Sequence, residues 1–178
     1  GVKVCPTVWG ATNWQSPAYN PATKLFYVAA LEKCETMFAT DKKPKPLTDN
    51  MGTGNAPIPR EDGEAFVRAI DPATGKRRWE FPMGQLQKDM PWPWPGVLST
   101  AGGLLFLSDH DGHFTAVDAK TGRHLCHAVT GRKFCAAPMT YMVNGKQYVS
   151  VAADRDILTF ALFEPVRAMP VITETTKP

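Results

Sequence analysis

From Glu64 onward the chain alternates short apolar and β-branched runs with turns of Gly, Asp and Asn. "EAFVRAID" runs up to "PATGK" and "RRWEFPM" runs away from it. Then come "LLFLSD", "HFTAVD", "HLCHAV", "MTYMVN", "QYVSVAAD" and "ILTFALF", joined by "HDG", "KTG", "VTG", "NGK" and "DRD". Runs this short between such breakers predict an antiparallel all-β protein. Nearer the start, "SPAYNPATKLFYVAALEKC" sets a Pro-Ala-Thr turn between two apolar runs and predicts a hairpin. Residues 40–63 carry Pro, Gly, Lys and Asn without apolar periodicity, as a long loop does. The tail, residues 164–178, is expected to be extended, leaving residues 1–163 as the folded part.

One string returns. Aligning Ala69-Ile70-Asp71 with Ala116-Val117-Asp118 also aligns Thr74-Gly75 with Thr121-Gly122, an offset of 47 residues. A period of about 40 to 50 residues built from four-stranded units marks a propeller blade, with a β-sandwich as the alternative. In such a turn Asp and Thr bond local backbone groups while Gly takes positive φ. Trp79, four residues past Gly75, is expected to pack between sheets; the second copy has Cys126 there.

Composition narrows the class. With 43% apolar and 21% charged residues, the 178-residue chain is globular in type. A net charge of +3 without a basic, aromatic-rich cluster argues against nucleic acid. No apolar run approaches the roughly 18 residues of a membrane span. The chain opens on Gly1, as expected of a processed or excised piece, so the lack of a leader says nothing about location. Cys5, Cys34, Cys126 and Cys135 form no Cys-x-x-Cys pair, and His124 and His127 complete no zinc pattern. Four cysteines allow three pairings in an oxidising compartment, or free thiols otherwise.

Ala-x-Asp-x-x-Thr-Gly-x-x-x-Trp resembles the tryptophan-docking motif of the eight-bladed quinoprotein alcohol dehydrogenases. These form the methanol/ethanol group that uses pyrroloquinoline quinone (PQQ). Three further stretches are similar to that family in the same order: "CPTVWGATNWQSPAYNPATKLFYV", "WPGVLSTAGGLLFLSDHDGHFTAVDAKTG" and "APMTYMVNGKQYVSVAA". The likeness runs from residue 5 to about 162. It implies a β-propeller portion of about four four-stranded blades, the C-terminal half of a larger enzyme. The catalytic aspartate, the calcium ligands and the adjacent-cysteine disulfide then belong to the preceding half, and the chain alone is not expected to catalyse.

The resemblance also assigns positions. Asn13 corresponds to the asparagine that donates to a quinone oxygen, and Trp14 to a residue on the same rim. Trp94 corresponds to the tryptophan of the Trp-Gly-Gly segment, with Pro95 in place of a glycine and so without that amide donor. Ile157 is the nearest counterpart of a contacting aliphatic residue. A Cys5–Cys34 disulfide is implied at the family's cysteine positions, while Cys126 and Cys135 either bridge across strands or stay free. Asp109, His110, Asp111 and His113 are read as a blade turn, and Asp154, Arg155 and Asp156 as a hairpin turn.

The expected parent is a periplasmic or secreted bacterial oxidoreductase that takes alcohols to aldehydes. PQQ and calcium, or another divalent or lanthanide ion, would serve it, with a cytochrome-type electron acceptor. The alternative is a non-catalytic propeller scaffold or binding module. Sheet faces and edges left open in a partial ring are expected to make the isolated piece self-associate.

Overall fold

The structure is a computed structural model in which residues 1–39, 43, 45, 46, 63–86, 96–134 and 136–162 are described. Most of the expected long loop, the tail, Trp94 and Cys135 lie outside these residues.

The described residues form strands and turns without helix. One four-stranded antiparallel sheet has the order β2–β3–β5–β6, from Ala18–Asn20, Leu25–Glu32, Gly63–Ile70 and Arg77–Leu86. A second runs β10–β9–β8–β7, from His124–Val129, His113–Asp118, Leu104–Ser108 and Leu98–Ser99. A third, β11–β12–β13, comprises Met139–Val143, Lys146–Ala153 and Asp156–Ala161. Near the N-terminus β1 (Val2–Val4) pairs with β4 (Glu35–Met37).

In β5, Ala65, Val67 and Ala69 are buried while the residues between them are partly open, the two-residue period of a strand with one covered face. In β9, Phe114, Thr115, Ala116 and Val117 are all buried. A sheet with neighbours on both sides has no solvent face, and this one sits in the middle. One core joins the first two sheets through Leu25, Tyr27 and Val67 against Leu105, Leu107 and Val117. Another joins the second and third through Phe114 and Phe106 against Val149, Val151 and Phe160.

The repeated turn performs the fastening. In the second sheet the Lys120 and Thr121 amides and the Thr121 hydroxyl all donate to Asp118 Oδ1, at 2.8–3.0 Å. The chain then reverses through Gly122 at φ 73°. Across the sheet gap, Tyr27 Oη and Trp79 Nε1 both donate to the Ala119 carbonyl, at 2.8 and 3.2 Å. A Cβ built on Gly122 would come within 2.7 Å of Trp79 Cδ2 and Cε3, so the indole lies flat on that glycine. Burial raises the pKa of the Tyr27 phenol despite its hydrogen bond with Thr23. Asn20 adds a second tie, donating to Ser99 Oγ and the Thr100 carbonyl.

The same turn makes one pH prediction. The Thr121 hydroxyl and amide hold the Asp118 carboxyl below the ordinary Asp value. A carboxyl with a depressed folded pKa contributes stability that is complete above its unfolded pKa and lost as pH falls through the folded one. Urea melts of wild type and Asp118→Ala should therefore differ at neutral pH, with the difference beginning to narrow only as pH falls below about 4.

At the second copy's equivalent of Trp79, Cys126 is free and exposed, so the covalent alternative to an indole is not taken up there. A mostly apolar cleft of about 370 Å³ lies beside it, lined by Phe106, Phe114, Val149 and Phe160 among others. An indole four residues past Gly75 closes the first gap; a thiol at the matching place leaves the second open.

Candidate functional site

The segment carrying Asn13 and Trp14 is an irregular loop before β2, and its position is imposed from several sides. Cys5 and Cys34 form a disulfide across 29 residues, with Cα atoms 4.5 Å apart. The Thr7 amide donates to the Lys33 carbonyl at 3.0 Å, and the Leu31 amide to the Ala11 carbonyl at 2.7 Å. The Val8 amide donates to Glu35 Oε1. Glu35 is only 1% exposed, and Thr7, Gln15 and Lys33 are buried with it, so a polar layer underlies the loop. Sequence reasoning missed Glu35 and Gln15. A carboxylate beside Cys34 on a three-residue strand has no sequence signature of burial.

On top of this layer Asn13 is exposed and its Nδ2 donates to the Trp9 carbonyl at 2.9 Å. The amide has two N–H bonds, so one remains to face a ligand. Trp14 beside it is 64% exposed, a large aromatic surface held in water rather than in a core. The next residue, Gln15, has a buried Oε1 atom with no partner among the described residues.

Other predicted stretches come to the same place. Gly96, the residue after Pro95, fits where a Cβ would meet the Ser16 backbone at 2.9 Å and Ala137 Cβ at 2.7 Å. The Val97 amide donates to the Ser16 carbonyl at 3.0 Å. Ser16, Gly96 and Ala137 precede β2, β7 and β11, so the leading ends of the three sheets' first strands converge beside Asn13 and Trp14. Ile157 is the second residue of β13, which by antiparallel alternation begins at the same end of its sheet, and its side chain is 77% exposed. Trp94 lies two residues before this convergence, outside the described residues.

The two Asp-containing stretches read as turns are turns. Asp109 Oδ1 accepts from the Asp111 and His113 amides, as a turn aspartate does. Asp154, at φ 50°, caps a hairpin and accepts from the Lys133 amide. No group of three His, Cys, Asp or Glu side chains among the described residues is arranged to enclose an ion, and none of the described elements is a helix long and apolar enough to cross a membrane.

Residues 65–149 match the family model of the glucose/ethanol/alcohol dehydrogenase beta-propeller domain. A quinoprotein alcohol dehydrogenase, PedE, from Pseudomonas putida is 36% identical over 152 residues, covering 84% of this chain and 23% of its own length. A quinohemoprotein alcohol dehydrogenase from Comamonas testosteroni is 36% identical over 159 residues, covering 83% of this chain and 22% of its own. The crystal structure of the quinohemoprotein alcohol dehydrogenase from Comamonas testosteroni superposes with a TM-score of 0.66 at 34% identity, over 85% of this chain and 23% of that one. A europium-containing methanol dehydrogenase superposes with a TM-score of 0.61 at 29% identity, over 85% of this chain and 27% of that one. The chain thus spans about a quarter of the length of the curated relatives it matches.

Proposed function

We propose, from the premise that this chain belongs to the quinoprotein alcohol dehydrogenase family, that it supplies one side of a PQQ pocket in a protein oxidising alcohols to aldehydes. The observation that carries the proposal is the loop of Asn13 and Trp14. A disulfide and a buried carboxylate clamp it where three strand ends meet, yet both side chains stay in solvent. Burying a polar layer to hold a donor and an indole outward suits a binding rim better than a packing role.

When bound, the quinone supplies the two-electron acceptor for the alcohol. Asn13 would offer its remaining amide hydrogen to a quinone oxygen, polarising it towards reduction. Trp14 and Trp94 would border the ring, and Ile157 would add an aliphatic contact. Calcium or a related cation, and the base, would come from residues outside this chain. The disulfide supports a periplasmic or secreted setting. The likeness to a quinohemoprotein alcohol dehydrogenase supports a haem-type electron acceptor.

Dye-linked oxidation of short alcohols by the full-length parent, titrated with PQQ and calcium, tests the reading. Turnover should require PQQ, and Asn13→Ala should lower kcat about a hundredfold, the effect of losing one donor at a developing charge. No rate above background would overturn it. That result would favour a scaffold role, for which Pro95 in place of a donor glycine is the supporting observation. The chain alone is proposed to self-associate through its open faces, where Met139 is exposed. Light scattering independent of concentration at the monomer mass would contradict this.

A further inference from the structure

The two gaps between sheets correspond position by position. In the first sheet Trp79 stands opposite Ala69 and Phe81 opposite Val67. In the second, 47 residues on, Cys126 stands opposite Ala116 and Ala128 opposite Phe114. Phe114 restores the ring that Ala128 lacks, so that exchange roughly conserves volume. The other exchange does not. Alanine faces tryptophan in one sheet and cysteine in the next, which leaves the second gap short by most of an indole. Phe106 also stands opposite Ala116, so Phe106, Phe114, Ala116, Cys126 and Ala128 share one face of their sheet. That face is turned to the third sheet, where Val149 and Phe160 stand opposite each other. The cleft of about 370 Å³ lies between these two walls.

We propose that this cleft binds a neutral, planar aromatic molecule of about indole size, where the preceding gap holds the indole of Trp79. Its volume lies within the roughly 300–1,000 Å³ of small-molecule sites. Its walls favour a flat ligand. Phe114 stacks nearly parallel on both neighbours, on Phe106 at 5.5 Å and 8° and on Phe160 at 4.6 Å and 11°. Rings held in one orientation offer faces on which a further ring can stack, a gain that a globular aliphatic molecule does not share.

Charge is excluded by the same lining. Among the described residues no lysine or arginine borders the cleft. A carboxylate entering it would lose its water without gaining a cationic partner. The site is therefore chemically separate from a pocket for a polyanionic quinone. Access is from the side of β10, where Leu125 and Cys126 are exposed. Leu162, at the other end of the lining, leads into residues 163–178, so the chain's own tail is the competing occupant.

Equilibrium dialysis of the full chain against indole tests the proposal. Indole should saturate at one equivalent, and indole-3-acetate should bind at least tenfold more weakly. Bound indole should also slow alkylation of the Cys126 thiol by iodoacetamide at least fivefold, followed by peptide mass. Cys126→Ala keeps the room and should keep the binding, which shows that the thiol itself is not the binding group. Cys126→Trp fills the cleft and should abolish binding while raising the midpoint of thermal unfolding. Thermal melts check that each variant is folded, and Ala128→Leu, which narrows the same cleft, serves if Cys126→Trp is not. Three results would each overturn the proposal: no saturable binding, equal affinity in wild type and the filled variant, or binding that begins only once residues 163–178 are removed. The last would assign the cleft to the tail.

Discussion

Replacing Trp79 with alanine is expected to lower the unfolding free energy by about 3 kcal/mol, read from urea melts. The lower end of the range for a buried aromatic applies because the indole is only partly covered. Three contributions go together: the apolar area against Tyr27, 5.7 Å away between ring centroids, the hydrogen bond to Ala119, and the stack on Gly122. Gly122→Ala approaches the same contact from the other side. Its Cβ would strike Trp79 at 2.7 Å and its φ of 73° disfavours any side chain, so a loss of about 2–3 kcal/mol is expected. In the Trp79→Ala background the clash is gone, and Gly122→Ala should then cost only the backbone part, about 1 kcal/mol. Additive losses in the double variant would show that the indole does not rest on this glycine.

Removing the Cys5–Cys34 disulfide by Cys5→Ser/Cys34→Ser is expected to cost about 3–4 kcal/mol, from the chain entropy released by opening a loop of this length. The consequence for the site is larger than the number. Without the bridge, the loop of Asn13 loses its covalent tie and is left to non-covalent ones such as its backbone hydrogen bonds and Glu35. PQQ affinity of the parent should fall together with stability, whereas Trp79→Ala should lower stability while leaving affinity nearly intact at temperatures where it stays folded. Oxidised and reduced wild type melting at the same urea concentration would contradict the entropic argument.

The strands were legible because their signals are local. "HFTAVD" begins just after Gly112 and "QYVSVAAD" ends on Asp154, both at positive φ, and β9 and β12 match those runs to within a residue at each end. The repeat around Asp71 and Asp118 was legible as a fastener because its chemistry is confined to a six-residue turn. Strands β1 and β4, three residues each, escaped reading because they pair with each other far along the chain, and β7 because two residues are too few to show an alternation. Of the site, Asn13 and Trp14 were reachable only through family likeness, since neither has a periodicity that exposes its role. Glu35 was out of reach because its burial comes from a loop folding over it.

The double acceptor at Ala119 also sets a clock. Tyr27 and Trp79 wait for a carbonyl 92 and 40 residues further along the chain. At about 5–20 residues per second of synthesis, Trp79 leaves the ribosome roughly two to eight seconds ahead of its acceptor, Ala119. During that interval the first sheet shows an uncovered aromatic face to the cell, and its successor is the natural cover. A pause in translation just before the second copy of the turn would lengthen that window, and yield of soluble protein would then depend on codon timing as much as on final stability.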